Sequence, residues 1–232
     1  MFIIPCKATK TARFIYDLVK SIRQFHDEEK IVIIDSDSSD KSYFELANQY
    51  KNVAIEDIAN KNWMVGAYWT GYKKYKDEDD FFYFMHDSCL VKGNLSYMRR
   101  NPITIMMWFY RHANESFDKF GPKINAETSY KYINNGLGCF GPMMFCQKTI
   151  LESMIAKGAD KILPSNKAET GWCEGCFGFF IEQEGFNPSQ ISLYGDMLGG
   201  EVQSKIGGAP HTTDWMYPIQ KRFGAYSDPE RL

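Results

Sequence analysis

Asp35-Ser36-Asp37-Ser38-Ser39-Asp40 sets three carboxylates and three hydroxyls directly after a fully apolar run, Ile31-Val32-Ile33-Ile34. Such a cluster supplies acceptors for ribose hydroxyls or for the amide N–H of a base. Four apolar, mostly β-branched residues in a row read as a strand buried on both faces, as parallel sheets require. Ligands of open α/β sheets bind just beyond the carboxyl ends of such strands. Asp35 emerges straight from the strand and is the first candidate for a base or ribose contact, with Ser36 and Asp37 beside it. Ser39 or Asp40 is accounted for by capping the next helix. A second pattern, Cys173-Glu174-Gly175-Cys176, has with Cys139 and Cys146 the residue types for zinc. The spacing of the second pair is wrong for a zinc knuckle, and packing on a buried helix is the plainer reading.

The elements that must hold these residues follow from the hydrophobic pattern. Phe2-Ile3-Ile4-Pro5 predicts a strand stopped by proline. Thr11 to Phe25 predicts an amphipathic helix, with Phe14, Ile15, Leu18, Val19, Ile22 and Phe25 on one face. After the strand at Ile31–Ile34 come a helix near Ser42–Tyr50, a short strand at Val53-Ala54-Ile55 and a helix from about Val65 to Tyr75. Phe81-Phe82-Tyr83-Phe84-Met85 is a further apolar strand, running into His86-Asp87-Ser88. Strands alternating with helices imply βαβ units and a mostly parallel sheet. Later, Ile103 to Phe109 reads as a strand, and Arg111 to Asn135 as a long polar stretch with little periodicity, of the kind that is functional or mobile. Met143-Met144-Phe145 is apolar, Lys148 to Lys157 looks helical, and Trp172 to Glu184 is a strongly apolar helix bearing Glu174. No internal repeat or linker breaks the chain, so a single domain over 1–232 is expected.

Composition narrows the functions. The chain has 232 residues, enough for one good-sized core. A net charge of −2, from 27 basic and 29 acidic residues without a basic stripe, argues against nucleic acid as the partner. The apolar start, Met1–Ile4, is too short for a signal peptide, and no later run reaches the length of a membrane span. A soluble, cytoplasmic protein with reduced cysteines is therefore expected. Aromatic residues make up 16% of the chain, and several stand beside glycine and polar residues, as in sites that stack sugars or bases.

Taken in order, these segments resemble the GT-A class of nucleotide-sugar glycosyltransferases, particularly family 2-like enzymes. The resemblance runs from Phe2 to about Phe186 and more weakly through the tail. FIIPCKATKTARFIYDLVKSI looks like the family's opening strand, loop and first helix, and IVIIDSDSSD like its nucleoside-binding second strand. FFYFMHDSCLV stands where the family has its Asp-x-Asp metal motif, and GWCEGCFGFFIEQEGF resembles the helix that begins with its catalytic acid. The resemblance implies a single-domain α/β GT-A-like fold, with a nucleotide-binding half over 1–100 and an acceptor half and tail over 101–232. It implies transfer of a sugar from a nucleotide-diphosphate donor, most simply UDP-linked, to a hydroxyl on a glycan or other acceptor.

The site residues follow from the same resemblance. Asp35, Ser36 and Asp37, with Cys6 and Lys7, would line the nucleotide pocket. Asp87 would hold Mn²⁺ or Mg²⁺ on the diphosphate. Here the chain departs from the family, because His86-Asp87-Ser88 lacks the second aspartate. Either another residue completes the metal site, with His86 and His211 as candidates, or cations such as Lys205, Lys221 and Arg222 replace it. Glu174 would be the general base that deprotonates the acceptor hydroxyl. His86, Asn135, Gly136 and Trp172 would contact the donor or acceptor sugar.

Other classes are disfavoured by what the chain lacks. It contains no GxxxxGK[ST], no strand-linked GxGxxG and no GxSxG elbow. Two rivals stay open: a non-catalytic relative that binds nucleotide or glycan, and, ranked lower, a sugar nucleotidyltransferase. The latter would need a glycine-rich loop after the first strand, where Pro5-Cys6-Lys7-Ala8-Thr9-Lys10 has no glycine.

Overall fold

The computed structural model describes residues 1–10, 14–110, 136–199, 202 and 215–222. Strands β1 (Phe2–Cys6), β2 (Ile31–Asp35), β3 (Val53–Asp57) and β4 (Phe81–Phe84) run parallel. Of the later strands, β5 (Cys89–Val91), β6 (Ile103–Ile105), β7 (Trp108–Tyr110), β8 (Leu137–Cys139), β9 (Met144–Gln147) and β10 (Ile219–Lys221), two join them. The result is a six-stranded sheet in the order β3-β2-β1-β4-β9-β6, with β9 antiparallel to both neighbours. The expected α/β layout is thus what forms. The order reverses at β1, since β2 and β3 lie on one side of it and β4 on the other, and such a reversal opens a crevice at the strands' carboxyl ends.

Period-two alternation explains why the strands are apolar throughout. Ile3, Val32, Ile34, Phe82 and Phe84 face one core, packed by helices α3 (Trp63–Tyr75), α4 (Lys148–Ala156) and α5 (Lys167–Gln183). Phe2, Ile4, Ile31, Ile33, Phe81 and Tyr83 face the other, packed by α1 (Phe14–Phe25). Neighbouring residues on one strand therefore belong to different cores, and both must be apolar. The predicted strand at Ile103–Phe109 is in fact two. Its first half joins β9, and its second half leaves to pair with β8 in a separate ribbon. The predicted helix near Ser42–Tyr50 is a 3-10 turn at Ser42–Glu45 followed by a short α2 (Leu46–Gln49). The halves drawn at residue 100 share this sheet, because β9 pairs directly with β4. Among the described residues no helix is long and apolar enough to cross a membrane.

Candidate functional site

A cavity of about 380 Å³ occupies the crevice. Pro5, Cys6 and Lys7 close it after β1, Ser36 and Asp37 after β2, and His86, Asp87 and Ser88 after β4. Asn60, Lys61, Trp63 and Met64 enter it ahead of and at the start of α3, and Lys167 from the first residue of α5. Cys6, Lys7, Ser36, Asp37, His86 and Asp87 thus come together at one cavity. Two loops of this wall are tied to each other: the Ser36 N–H donates to the Cys6 carbonyl at 2.7 Å, and the Ala8 N–H to Ser38 Oγ at 2.8 Å.

Asp35 is the correction. Its carboxylate is fully buried and does not line the cavity. It accepts from the Tyr43 hydroxyl at 2.6 Å, from the N–H groups of Asp37 and Ser38 at 3.1 and 3.3 Å, and from Lys41 Nζ at 3.1 Å. Burial alone would raise its pKa, but the hydrogen bonds from Ser38, Tyr43 and Lys41 outweigh burial and hold it below the ordinary value. The residue that left the strand most abruptly is spent on fixing the loop, and its neighbours Ser36 and Asp37 face the ligand space instead. Asp37 does so with φ of +62°, a conformation its short polar side chain tolerates.

A second cavity, about 310 Å³, adjoins the first and shares Trp63, Met64 and Lys167 with it. It is lined in addition by Phe140, Thr170, Met197 and Glu174. The expectation that Glu174 starts its helix is corrected: α5 begins at Lys167, two turns earlier. Asn166 caps it by accepting from the Glu169 N–H at 3.1 Å, while the Glu169 carboxylate reaches back to the Ser165 N–H at 2.6 Å. This capping pattern, Asn166-Lys167-Ala168-Glu169, was passed over in reading the sequence, which set the helix start too late. One turn after Glu174, Gly178 lets the helix lie against β8, where a Cβ would come within 2.2 Å of the Leu137 carbonyl oxygen. That close approach sets Glu174 beside the β8–β9 turn, and its Oε1 accepts from the Gly141 N–H at 2.9 Å.

His86 is engaged on both ring nitrogens. Nε2 lies 2.8 Å from the Gly141 carbonyl oxygen, and Nδ1 lies 3.0 Å from Nζ of Lys221, a fully buried residue on β10. The Gly141 carbonyl can only accept, so Nε2 carries the ring proton, while Nδ1 faces Lys221 Nζ. His86 therefore has no lone pair to offer a metal. Among the described residues no group of three or more His, Cys, Asp or Glu side chains is placed to hold a metal ion. Asp37 and Asp87 both line the cavity, and His211, the other ligand expected, lies outside the described residues.

The remaining expectations fall elsewhere. Trp172 packs partly buried against the core and lines neither cavity, and Gly136 is buried outside both. Asn135 and His211 lie outside the described residues. Cys139, Cys146, Cys173 and Cys176 are buried in the core shared with α3 and α5, and burial pushes the Cys139 and Cys146 thiols up, so packing accounts for the CxxC. Asn60, Lys61, Trp63, Met64 and Lys167 are lining residues that sequence reasoning missed. Trp63 has φ of +47°, rare for a bulky residue, and its carbonyl accepts from Asn60 Nδ2 at 2.5 Å.

No protein-family model and no curated protein matches the chain. Similar solved structures include S. aureus TarS 1–349, at 14% identity and a TM-score of 0.45 over 77% of this chain and 54% of that one. The chain thus spans about half the length of that neighbour, which has also been solved with UDP and with UDP-GlcNAc. Core-mannan synthase A from Aspergillus fumigatus, in an Mn/GDP form, is similar at 8% identity and a TM-score of 0.42, over 77% of this chain and 65% of that one. The galactosyltransferase LgtC, with donor and acceptor sugar analogs, is similar at 14% and 0.36, over 76% and 70%. At these scores the likeness carries no argument about chemistry.

Proposed function

We propose that this chain transfers a sugar from a nucleotide-diphosphate donor, UDP-linked in the simplest case, to an acceptor hydroxyl. The observation that carries this reading is the pair of adjoining cavities, one at the strand-order reversal and one holding Glu174. The first has the place and the lining for a nucleotide. Lys7, Lys61 and Lys167 outnumber the acids Asp37 and Asp87 around it, which suits an anionic diphosphate. The sugar lies at the shared wall of Trp63, Met64 and Lys167, and the acceptor enters the second cavity. There the acceptor oxygen attacks the anomeric carbon, its proton passes to Glu174, and the carbon–oxygen bond to the diphosphate breaks. The nucleoside diphosphate leaves with the electron pair, and attack from the opposite side inverts the anomeric centre. Charge developing on the leaving group is met by Lys7, Lys61 and Lys167. The buried cysteine thiols suit a reducing compartment, and we place the reaction in the cytoplasm.

Calorimetric titration of UDP-, GDP-, CMP- and dTDP-linked sugars, each with Mn²⁺ and with EDTA, tests the reading. Binding of one nucleotide with equal affinity in EDTA is expected. Binding seen only with Mn²⁺ would return the diphosphate to a metal completed from outside the described residues. No binding by any donor would remove the sugar-nucleotide reading.

A further inference from the structure

Gly141 joins the two cavities through its own backbone. It stands in the turn between β8 and β9, at the edge where antiparallel β9 begins and its neighbour β4 ends, so the turn meets the loop bearing His86. Its N–H donates to Glu174 Oε1 at 2.9 Å, and its carbonyl accepts from His86 Nε2 at 2.8 Å. Three backbone bonds fix the turn: Phe140 N–H to the Met107 carbonyl, Met143 N–H to the Phe140 carbonyl, and Met106 N–H to the Met143 carbonyl.

Only glycine fits there, for two separate reasons. Its φ is +61°, the left-handed region where a Cβ is strained. A Cβ would also stand 2.6 Å from His86 Cε1 and 2.8 Å from Nε2. The ring cannot easily give way, because it stacks on Tyr68 at a centroid distance of 6.4 Å and its far nitrogen meets buried Lys221.

We propose that Gly141 is a positioning residue, locking the carboxylate of Glu174 to His86 across the wall between the two cavities. The inference rests on the transfer reading and adds that the acceptor-side base and the donor-side loop form one unit. A small misplacement of an oriented base costs about two orders of magnitude in rate. The lock acts on turnover rather than on nucleotide affinity.

The test is a double-variant cycle on donor consumption with Gly141→Ala and Glu174→Gln, alongside thermal melts and UDP titration. We expect Gly141→Ala to lower kcat by about 10- to 100-fold, with the UDP Kd changed less than about threefold. Combined with Glu174→Gln it adds no further loss, because both act through one carboxylate. Losses that multiply in the double variant, or a raised KM with kcat intact, overturn the lock and leave the transfer reading standing. A folded parent chain that consumes no donor overturns both. Should Gly141→Ala fail to fold, His86→Phe keeps a ring against Tyr68, removes the donor to Gly141 and enters the same cycle, read on kcat alone because His86 also lines the nucleotide cavity. Losses that do not multiply with Glu174→Gln support the lock, and losses that multiply overturn it.

Discussion

Two loops leave the sheet at the same end with nearly the same residues, yet they use their carboxylates differently. After β2, Asp35 is followed by Ser36, Asp37 and Ser38; after β4 come His86, Asp87 and Ser88. Asp35 turns inward because its own loop supplies N–H donors two and three residues on, and Tyr43 reaches it from the next turn. Asp87 stays at the cavity wall, in a loop whose other polar groups are held by Lys221, which contacts both His86 and Ser88. The lesson is that an acid at a strand end serves structure when the following turn can satisfy it locally. It can line a crevice when a distant element engages its neighbours, as Lys221 engages His86 and Ser88 beside Asp87.

The largest effect that sharpens this contrast lies at the other carboxylate. Glu174→Gln should lower transfer by about 10²- to 10⁴-fold while the melting temperature stays near that of the parent, read by steady-state turnover and a thermal scan. Asp35→Ala should do the reverse. Removing the acceptor leaves the Tyr43 hydroxyl and two N–H groups unsatisfied, and a loss of about 2–3 kcal/mol is expected from urea unfolding. Asp87→Ala removes an acid from the cavity that takes the anionic diphosphate, so donor affinity should hold or rise, and stability falls by less than for Asp35→Ala. Equal destabilisation by the two aspartate variants would break the comparison.

A smaller effect follows from pH. The pKa of Asp35 lies below its unfolded value of 3.8, so its stabilisation is fully present above that value and is lost as pH falls through the folded one. The stability gap between the parent and Asp35→Asn should therefore be flat near neutrality and close below pH 3.8, as read by urea melts across the acid range. A gap independent of pH would mean that the carboxylate's charge does not matter to the loop. Smallest of all, Lys167→Ala should weaken UDP about two- to fivefold, since the side chain is exposed and screened by water and salt. The effect should shrink in high salt in the same titration.

Much of the fold was legible because burial on both faces leaves a strong mark. Ile31–Ile34 and Phe81–Phe84 are continuous apolar runs, and both are central strands. Ile103–Phe109 was misread as one strand because its two halves are equally apolar while pairing with different partners. Cys6, Lys7, Ser36, Asp37, His86 and Asp87 could be read from the sequence as lining one crevice because they adjoin strand ends, where a general rule places ligands. Trp63, Lys61 and Lys167 were missed because they come from the starts of helices and the approach to one, and no local pattern marks such residues as facing a crevice. Gly141 was passed over as one more glycine in a glycine-containing stretch. Its two partners, His86 and Glu174, lie 55 and 33 residues away.

The sequence by itself determined the α/β alternation, the doubly buried strands and the set of acids, histidine and lysines available for chemistry. Those properties depend on the order of side chains along the chain and on periods of two and 3.6 residues. Only the tertiary structure decided which acid faces inward, that His86 has both nitrogens occupied, and that Glu174 shares a wall with the crevice. These depend on groups that meet across the sheet, such as Lys221 with His86 and Gly141 with Glu174, whose distances no local pattern fixes.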